Sequence, residues 1–209
     1  MINVCIADNF PVVHFGMKAY FKDHSEISIV SNVGNFFMIP DALRNKEIDV
    51  LILDLDLDGL NSIYEVKSII KNFPKTKVII FSSLSEHIYA PNAIKAGCAG
   101  YVHKTSKLEN LGTTIVKVNN GQIILNDEIK KNLALIAKQN KSERLYRKLS
   151  NREIEVLRFL SDGKKNNEIA KILGLNEKTI STYKLRLLTK LNVTNLVGLV
   201  NKAKTLEIV

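Results

Sequence analysis

The first 120 residues alternate short apolar runs with helical segments, and this alternation restricts the fold more than any other feature of the chain. Ile2–Ala7, Ile27–Ser31, Asp49–Leu53, Lys77–Phe81 and Gly100–His103 read as five strands. The segments near 11–22, 35–46, 61–73, 86–96 and 106–119 read as helices. The strand runs are continuously apolar rather than alternating, so both of their faces must be covered. A doubly wound α/β arrangement, a five-stranded parallel sheet between two layers of helix, meets that requirement. Such folds place their working residues at the carboxyl ends of the strands. Here those ends carry Asp8 and Asn9, then Asp54, then Ser82 and Ser83, then Lys104.

The stretch from Leu149 to Leu191 has a different pattern, that of three short helices. Ser150 and Glu153 form the S-x-x-E capping box, and Val156, Leu157 and Leu160 follow at helical spacing. Ile169, Ala170 and Leu173 share one face of a second helix. Gly174 supplies a tight turn, and Asn176 is placed to cap the third helix. On that third helix Ile180, Tyr183, Leu187 and Leu191 form one stripe. The other side presents Lys178, Thr179, Ser181, Thr182, Lys184, Leu185, Arg186, Thr189 and Lys190. A helix that is apolar behind and polar and cationic in front suits the major groove of double-stranded DNA. Charge agrees with this. Residues 1–120 hold 12 basic and 12 acidic side chains, so the whole +9 comes from residues 121–209. A polyanionic partner is expected for that half, because each Lys or Arg on a phosphate releases counterions.

Two cysteines, Cys5 and Cys98, lie in apolar sequence and suggest neither a disulfide framework nor a zinc site. No run is long enough to span a bilayer and no secretory pattern opens the chain, so a cytoplasmic protein without a membrane partner is expected. The four histidines lack metal-ligand spacing, and no P-loop or dinucleotide glycine motif is present. Asp54, Asp56, Asp58 and Gly59 imitate a calcium loop, but a strand precedes them where a calcium loop needs a helix. The pair Asp54 and Asp56 also imitates a phosphatase motif, without the downstream acidic cluster that chemistry requires. A phosphatase or calcium-binding module is the alternative of a different class. It would leave the basic helix-turn-helix without a purpose.

An aspartate, a hydroxyl and a lysine at one edge of a sheet suggest phosphoryl chemistry. The carboxylate can attack phosphorus, while the lysine and hydroxyl bind the phosphoryl oxygens. IADNFPVV, VLILDLDLDG, VIIFSSLS and KAGCAGYVHK, in that order, resemble the blocks of a bacterial receiver domain. Together with the C-terminal LuxR-type helix-turn-helix, nearly the whole chain resembles the NarL/FixJ family of two-component response regulators. The resemblance implies a flavodoxin-like receiver over 1–120, a linker containing a helix over 121–148, and an all-α DNA-binding domain over 149–209. It implies that Asp54 is the phosphoacceptor, Ser82 the switch hydroxyl, Lys104 the phosphate-binding lysine and Tyr101 the aromatic switch. It implies a Mg2+ ion held by Asp8, Asn9, Asp54 and Asp56. It also implies a sensor histidine kinase or phosphotransfer protein as donor. The protein would act as a DNA-binding transcription regulator rather than an enzyme. It would work as a homodimer, with heterodimers open, and Leu196, Leu199, Val200 and Ala203 of a final helix would supply the dimer contact.

The receiver blocks depart from the family in places. Asn9 stands where a second acid is usual, which removes one charge and weakens the expected magnesium site. Leu57 and Asp58 replace the usual Met-Pro, Ser62 replaces a loop glycine, and Thr105 follows Lys104 in place of proline. Two expectations stay open from sequence. Asp56 or Asp58 restores enough negative charge for Asp54 to react, or the receiver works without phosphate through protein partners.

Overall fold

The computed structural model describes residues 1–125, 149–206 and 208. The chain divides into two compact units, Met1–Leu133 and Ala134–Val209. The linker helix expected between the domains falls on residues 126–148 and lies outside the described residues.

In the first unit, strands β1 (Ile2–Ala7), β2 (Ile27–Val33), β3 (Val50–Leu53), β4 (Lys77–Ser82) and β5 (Gly100–His103) form one parallel sheet in the order β2-β1-β3-β4-β5. Consecutive residues of each strand serve opposite faces. Cys5, Leu51, Leu53, Val78, Ile80 and Tyr101 join one core with Ile39 and Leu43 of α2 (Ile39–Asn45), Val66 and Ile69 of α3 (Ile63–Asn72), and Ala90 and Ala93 of α4 (Glu86–Ala96). Val4, Ile6, Val50, Ile52, Ile79 and Val102 face the other way. They meet Met17 of α1 (Pro11–Tyr20) and Leu111, Ile115 and Val118 of α5 (Leu108–Asn119). Burial on both faces explains why these strands are apolar throughout. β2 is the exception: it lies at the edge of the sheet, and its middle residues are half-buried.

The helix expected over 35–46 is divided. A 3-10 turn at Phe36–Met38 precedes α2, whose first turn contains Pro40. Proline has no N–H to give the preceding turn and favours a helix start, so the segment breaks there. Between β1 and β3 the chain leaves the sheet in opposite directions, and the loops at their carboxyl ends open a crevice.

The second unit contains α6 (Asn151–Ser161), α7 (Asn166–Leu173), α8 (Glu177–Leu191) and α9 (Leu196–Thr205). Ser150 Oγ accepts from Glu153 N at 3.3 Å, while Glu153 Oε2 accepts from Ser150 N at 2.6 Å, completing the expected capping box. Gly174 ends α7 in the left-handed conformation, with φ 64°, which favours glycine. Two residues on, Asn176 caps α8 through Oδ1, which accepts from Thr179 N at 2.8 Å. α8 packs against α6, α7 and α9, and buries Ile180, Leu187 and Leu191 among them.

Candidate functional site

The crevice between β1 and β3 gathers the acids expected there. Asp8 ends β1 and Asp54 ends β3; their residues are only 1% and 2% exposed. Lys104, from the end of β5, places Nζ 2.7 Å from Asp8 Oδ2 and 2.5 Å from Asp54 Oδ2. Burial works against the charge on Lys104, but hydrogen bonds and attraction from Asp54 and Asp8 outweigh it and raise its pKa. The group is therefore an ammonium at neutral pH. Phe10 lies across it, with the ring centroid 5.4 Å from Nζ. Asp8 Oδ1 accepts from Phe10 N at 2.8 Å, and Asp54 Oδ1 accepts from Asp56 N at 3.3 Å. Two buried carboxylates thus share one cation.

Ser82 and Tyr101 approach the same pocket from β4 and β5. Ser82 is fully buried, and its Oγ accepts from Leu84 N at 3.4 Å. Tyr101 points inward and donates its hydroxyl to Leu84 O at 2.8 Å. Burial, reinforced by Tyr89 and Glu86, pushes its phenol above the usual range, so it remains a donor. His103 is not among the residues that the sequence singles out for this site. Its Nε2 lies 2.9 Å from Ser83 O and its Nδ1 lies 2.7 Å from Thr105 Oγ1, while its backbone N–H donates to Glu86 Oε1 at 2.9 Å. Tyr101 and His103 together tie the loop after β4 to β5. A sequence signal for it exists, since His103 immediately precedes Lys104 at a strand end.

The expected magnesium set of Asp8, Asn9, Asp54 and Asp56 requires correction. Asn9 Oδ1 accepts from Asp58 N at 2.7 Å, and Asn9 Nδ2 donates to Asp56 O at 2.7 Å. The oxygen that Asn9 would offer a cation is already engaged. Lys104 occupies one oxygen of each buried acid, and the Asp56 residue is exposed. Among the described residues no group of three or more His, Cys, Asp and Glu side chains converges as a cation site. As arranged, these four residues do not fit the ion that the resemblance implied.

The second unit presents α8. Lys178, Thr182, Leu185, Arg186 and Thr189 are exposed, and Lys184 is half-exposed. Leu185 is 66% exposed amid cationic neighbours. Other residues of the expected reader face are engaged within the unit. Thr179 Oγ1 lies 2.8 Å from Asn176 Oδ1 at the cap, and Ser181 Oγ accepts from Asn166 Nδ2 at 3.2 Å. Lys190 has a partner within the unit as well. It binds Glu153 Oε2 at 2.7 Å, so its ammonium holds α8 to the start of α6. The expected dimer stripe is corrected in part as well. Leu199 and Ala203 are fully buried in their own core, whereas Leu196 and Val197 are exposed and Val200 is half-buried. Only these last three are available as surface.

A parallel sheet with an acid pair and a lysine at its carboxyl edge, in a chain that also contains a basic helix-turn-helix, defines a two-component response regulator. Comparison with known proteins agrees. Residues 4–116 match the response regulator receiver domain, and residues 147–203 match the bacterial regulatory proteins of the luxR family. The Fimbriae Z protein of Escherichia coli K12 is 31% identical over 99% of this chain and 98% of its own length. Response regulator UvrY of the same strain is 27% identical over 92% of this chain and 89% of its own. The structure of RcsB from Salmonella enterica serovar Typhimurium, bound to promoter rprA with phosphomimetic BeF3-, is 26% identical. It covers 97% of this chain and 98% of that one, with a TM-score of 0.78. The chain belongs to the NarL/FixJ-type response regulators, with a receiver domain and a LuxR-type DNA-binding domain.

Proposed function

We propose that this regulator binds double-stranded DNA as a homodimer through the exposed face of α8, and that phosphorylation of Asp54 gates the binding. The functional domains are then the receiver over 1–120, a linker over 121–148 and the reader domain over 149–209. The observation that carries the reading is the face of α8, where exposed Thr182 and Leu185 lie among Lys178, Lys184 and Arg186. Thr182 and Leu185 read base edges, with Leu185 against a thymine methyl, and the cations contact phosphates. RcsB, a structural relative, has been solved as dimers on DNA. In this chain Leu196, Val197 and Val200 offer the apolar surface for such a pairing.

In the receiver, an Asp54 oxygen attacks the phosphorus of a donor such as a sensor kinase or phosphotransfer protein. A bond forms from that oxygen to phosphorus, and the bond to the donor breaks with its electron pair leaving on the donor. Lys104 then turns from the carboxylates to the new phosphoryl oxygens, and the Ser82 hydroxyl supplies a further donor. The chain serves as a signal-dependent binding protein, with no turnover of its own required.

Binding to a specific promoter and to unrelated DNA, measured over a range of salt concentrations, tests the interface. Lys184→Ala is expected to weaken both alike and to lower the salt slope by about one. Thr182→Ala is expected to cost on the order of 1–3 kcal/mol on the specific site alone. Unchanged affinity in both variants would remove α8 as the reader.

A further inference from the structure

Residue 9 faces two groups of opposite hydrogen-bonding type. The Asp56 carbonyl is an acceptor and the Asp58 N–H is a donor, each 2.7 Å from the Asn9 side chain. A carboxamide matches both at once, having one N–H2 and one C=O. A carboxylate can match only Asp58. Its second oxygen would face the Asp56 carbonyl oxygen, acceptor against acceptor, and a cation between them would be needed to reconcile the two. The loop is also held from its other side. Phe36 N donates to Asp58 O at 2.8 Å. Phe37 lies so close over Gly59, at φ 83°, that a β-carbon there would fall 2.8 Å from its ring.

We propose that Asn9 is a positioning residue that takes over a bridging cation's structural work. Its amide clamps the loop after β3 from one side while Phe36 and Phe37 hold the other. The pocket around Asp54 is therefore assembled without any divalent ion. The departure that reads as a damaged metal ligand is a hydrogen-bonded replacement for the metal. This inference rests on reading the Asp54 pocket as the receiver's working site. It concerns assembly of that pocket, so the test below reads stability and amide exchange and needs neither DNA binding nor labelling to succeed.

The test compares the full chain with Asn9→Asp and Asn9→Ala in EDTA and in a MgCl2 titration. Thermal unfolding of the receiver is followed, together with hydrogen exchange at the Asp58 amide. The unmodified chain should melt at the same temperature in both conditions and protect the Asp58 amide in EDTA. Asn9→Asp should melt roughly 4–8 °C lower in EDTA and recover saturably with magnesium. Asn9→Ala should melt lower in both conditions, with no recovery. Saturable stabilisation of the unmodified chain by magnesium would overturn the proposal. So would an Asn9→Asp variant as stable in EDTA as the unmodified chain, or one that magnesium fails to rescue. Should neither variant fold, the Asp58 amide of the unmodified chain decides alone, since protection that appears only with magnesium refutes the clamp.

Discussion

Each unit of this protein contains a lysine bonded to a deeply buried carboxylate, and the two centres differ in their charge balance. In the reader unit the Lys190 ammonium meets the Glu153 carboxylate, whose side chain is 3% exposed. The same Glu153 oxygen also accepts from Ser150 N at 2.6 Å. The acceptor is satisfied and the contact joins the end of one helix to the start of another, so the pair is a structural fastening. In the receiver one ammonium, Lys104, serves two carboxylates, Asp8 and Asp54. A net negative charge stays buried, and the lysine is divided between partners it can leave. Burial alone does not separate a fastening from a reactive site. The ratio of charges does.

The largest effect should come from removing the shared cation. Lys104→Met leaves Asp8 and Asp54 buried side by side without a counter-charge. Losing one partner of a buried ionic cluster costs about 3–5 kcal/mol, and the receiver should unfold at correspondingly lower denaturant. Adding Asp54→Asn to Lys104→Met should recover part of the loss, because one of the two uncompensated charges goes. A double-mutant cycle by urea unfolding of the full chain measures this coupling. Additive effects would mean that the lysine and Asp54 do not communicate, and the contrast between the two centres would fail.

The balanced pair should respond less. Glu153→Gln keeps a capping acceptor but loses the ionic partner of Lys190, at a cost of about 1–2 kcal/mol to the reader unit. The pH dependence has a definite sign. Burial favours the neutral acid, but bonds from Lys190 and from Ser150 outweigh it and hold the Glu153 carboxyl below its ordinary value. A lowered folded pKa contributes stability that is present above the unfolded value of about 4.3 and lost as pH falls through the folded value. Glutamine does not titrate. The stability gap between the unmodified chain and the variant should therefore be full at pH 6 and shrink in the range below about pH 4. A gap independent of pH would assign Glu153 to packing instead of charge.

These centres are not equally legible in the sequence. Asp8, Asp54, Ser82 and Lys104 can be read because each ends a continuous apolar run, and a parallel sheet gathers such ends at one edge. The Glu153–Lys190 pair spans 37 positions between two helices whose packing angle no periodicity reveals. Lys190 therefore reads as another phosphate contact on a basic face. Leu199 and Ala203 read equally as dimer contact or as core for the same reason: α9 has apolar residues on more than one side, and only the neighbouring helices determine which side is covered. Asn9 is legible as a departure but not as a clamp, because its two partners are backbone groups 47 and 49 positions away. Pro40 marks a break that the sequence does contain, and helical spacing on either side of it hides the division.

The smallest predicted effect has the opposite sign. Asp54→Asn alone removes one of two buried like charges and leaves Lys104 facing Asp8, the one-to-one balance already seen at Glu153. The amide oxygen that this substitution introduces can still accept from Asp56 N; its N–H2 then replaces the oxygen that faced Lys104, so the ammonium must turn wholly to Asp8, and no heavy atom is lost from the packed pocket. The receiver should gain about 1 kcal/mol, within the range found when a site tuned for function is made electrically quiet. Labelling by a phosphoryl donor should vanish at the same time, since the attacking oxygen is gone. Stability would be read as a rise in the urea midpoint at unchanged slope, and labelling as the mass of the intact chain. A loss of stability comparable to that of Lys104→Met would show that Asp54 is a structural anchor like Glu153. The two centres would then be of one kind.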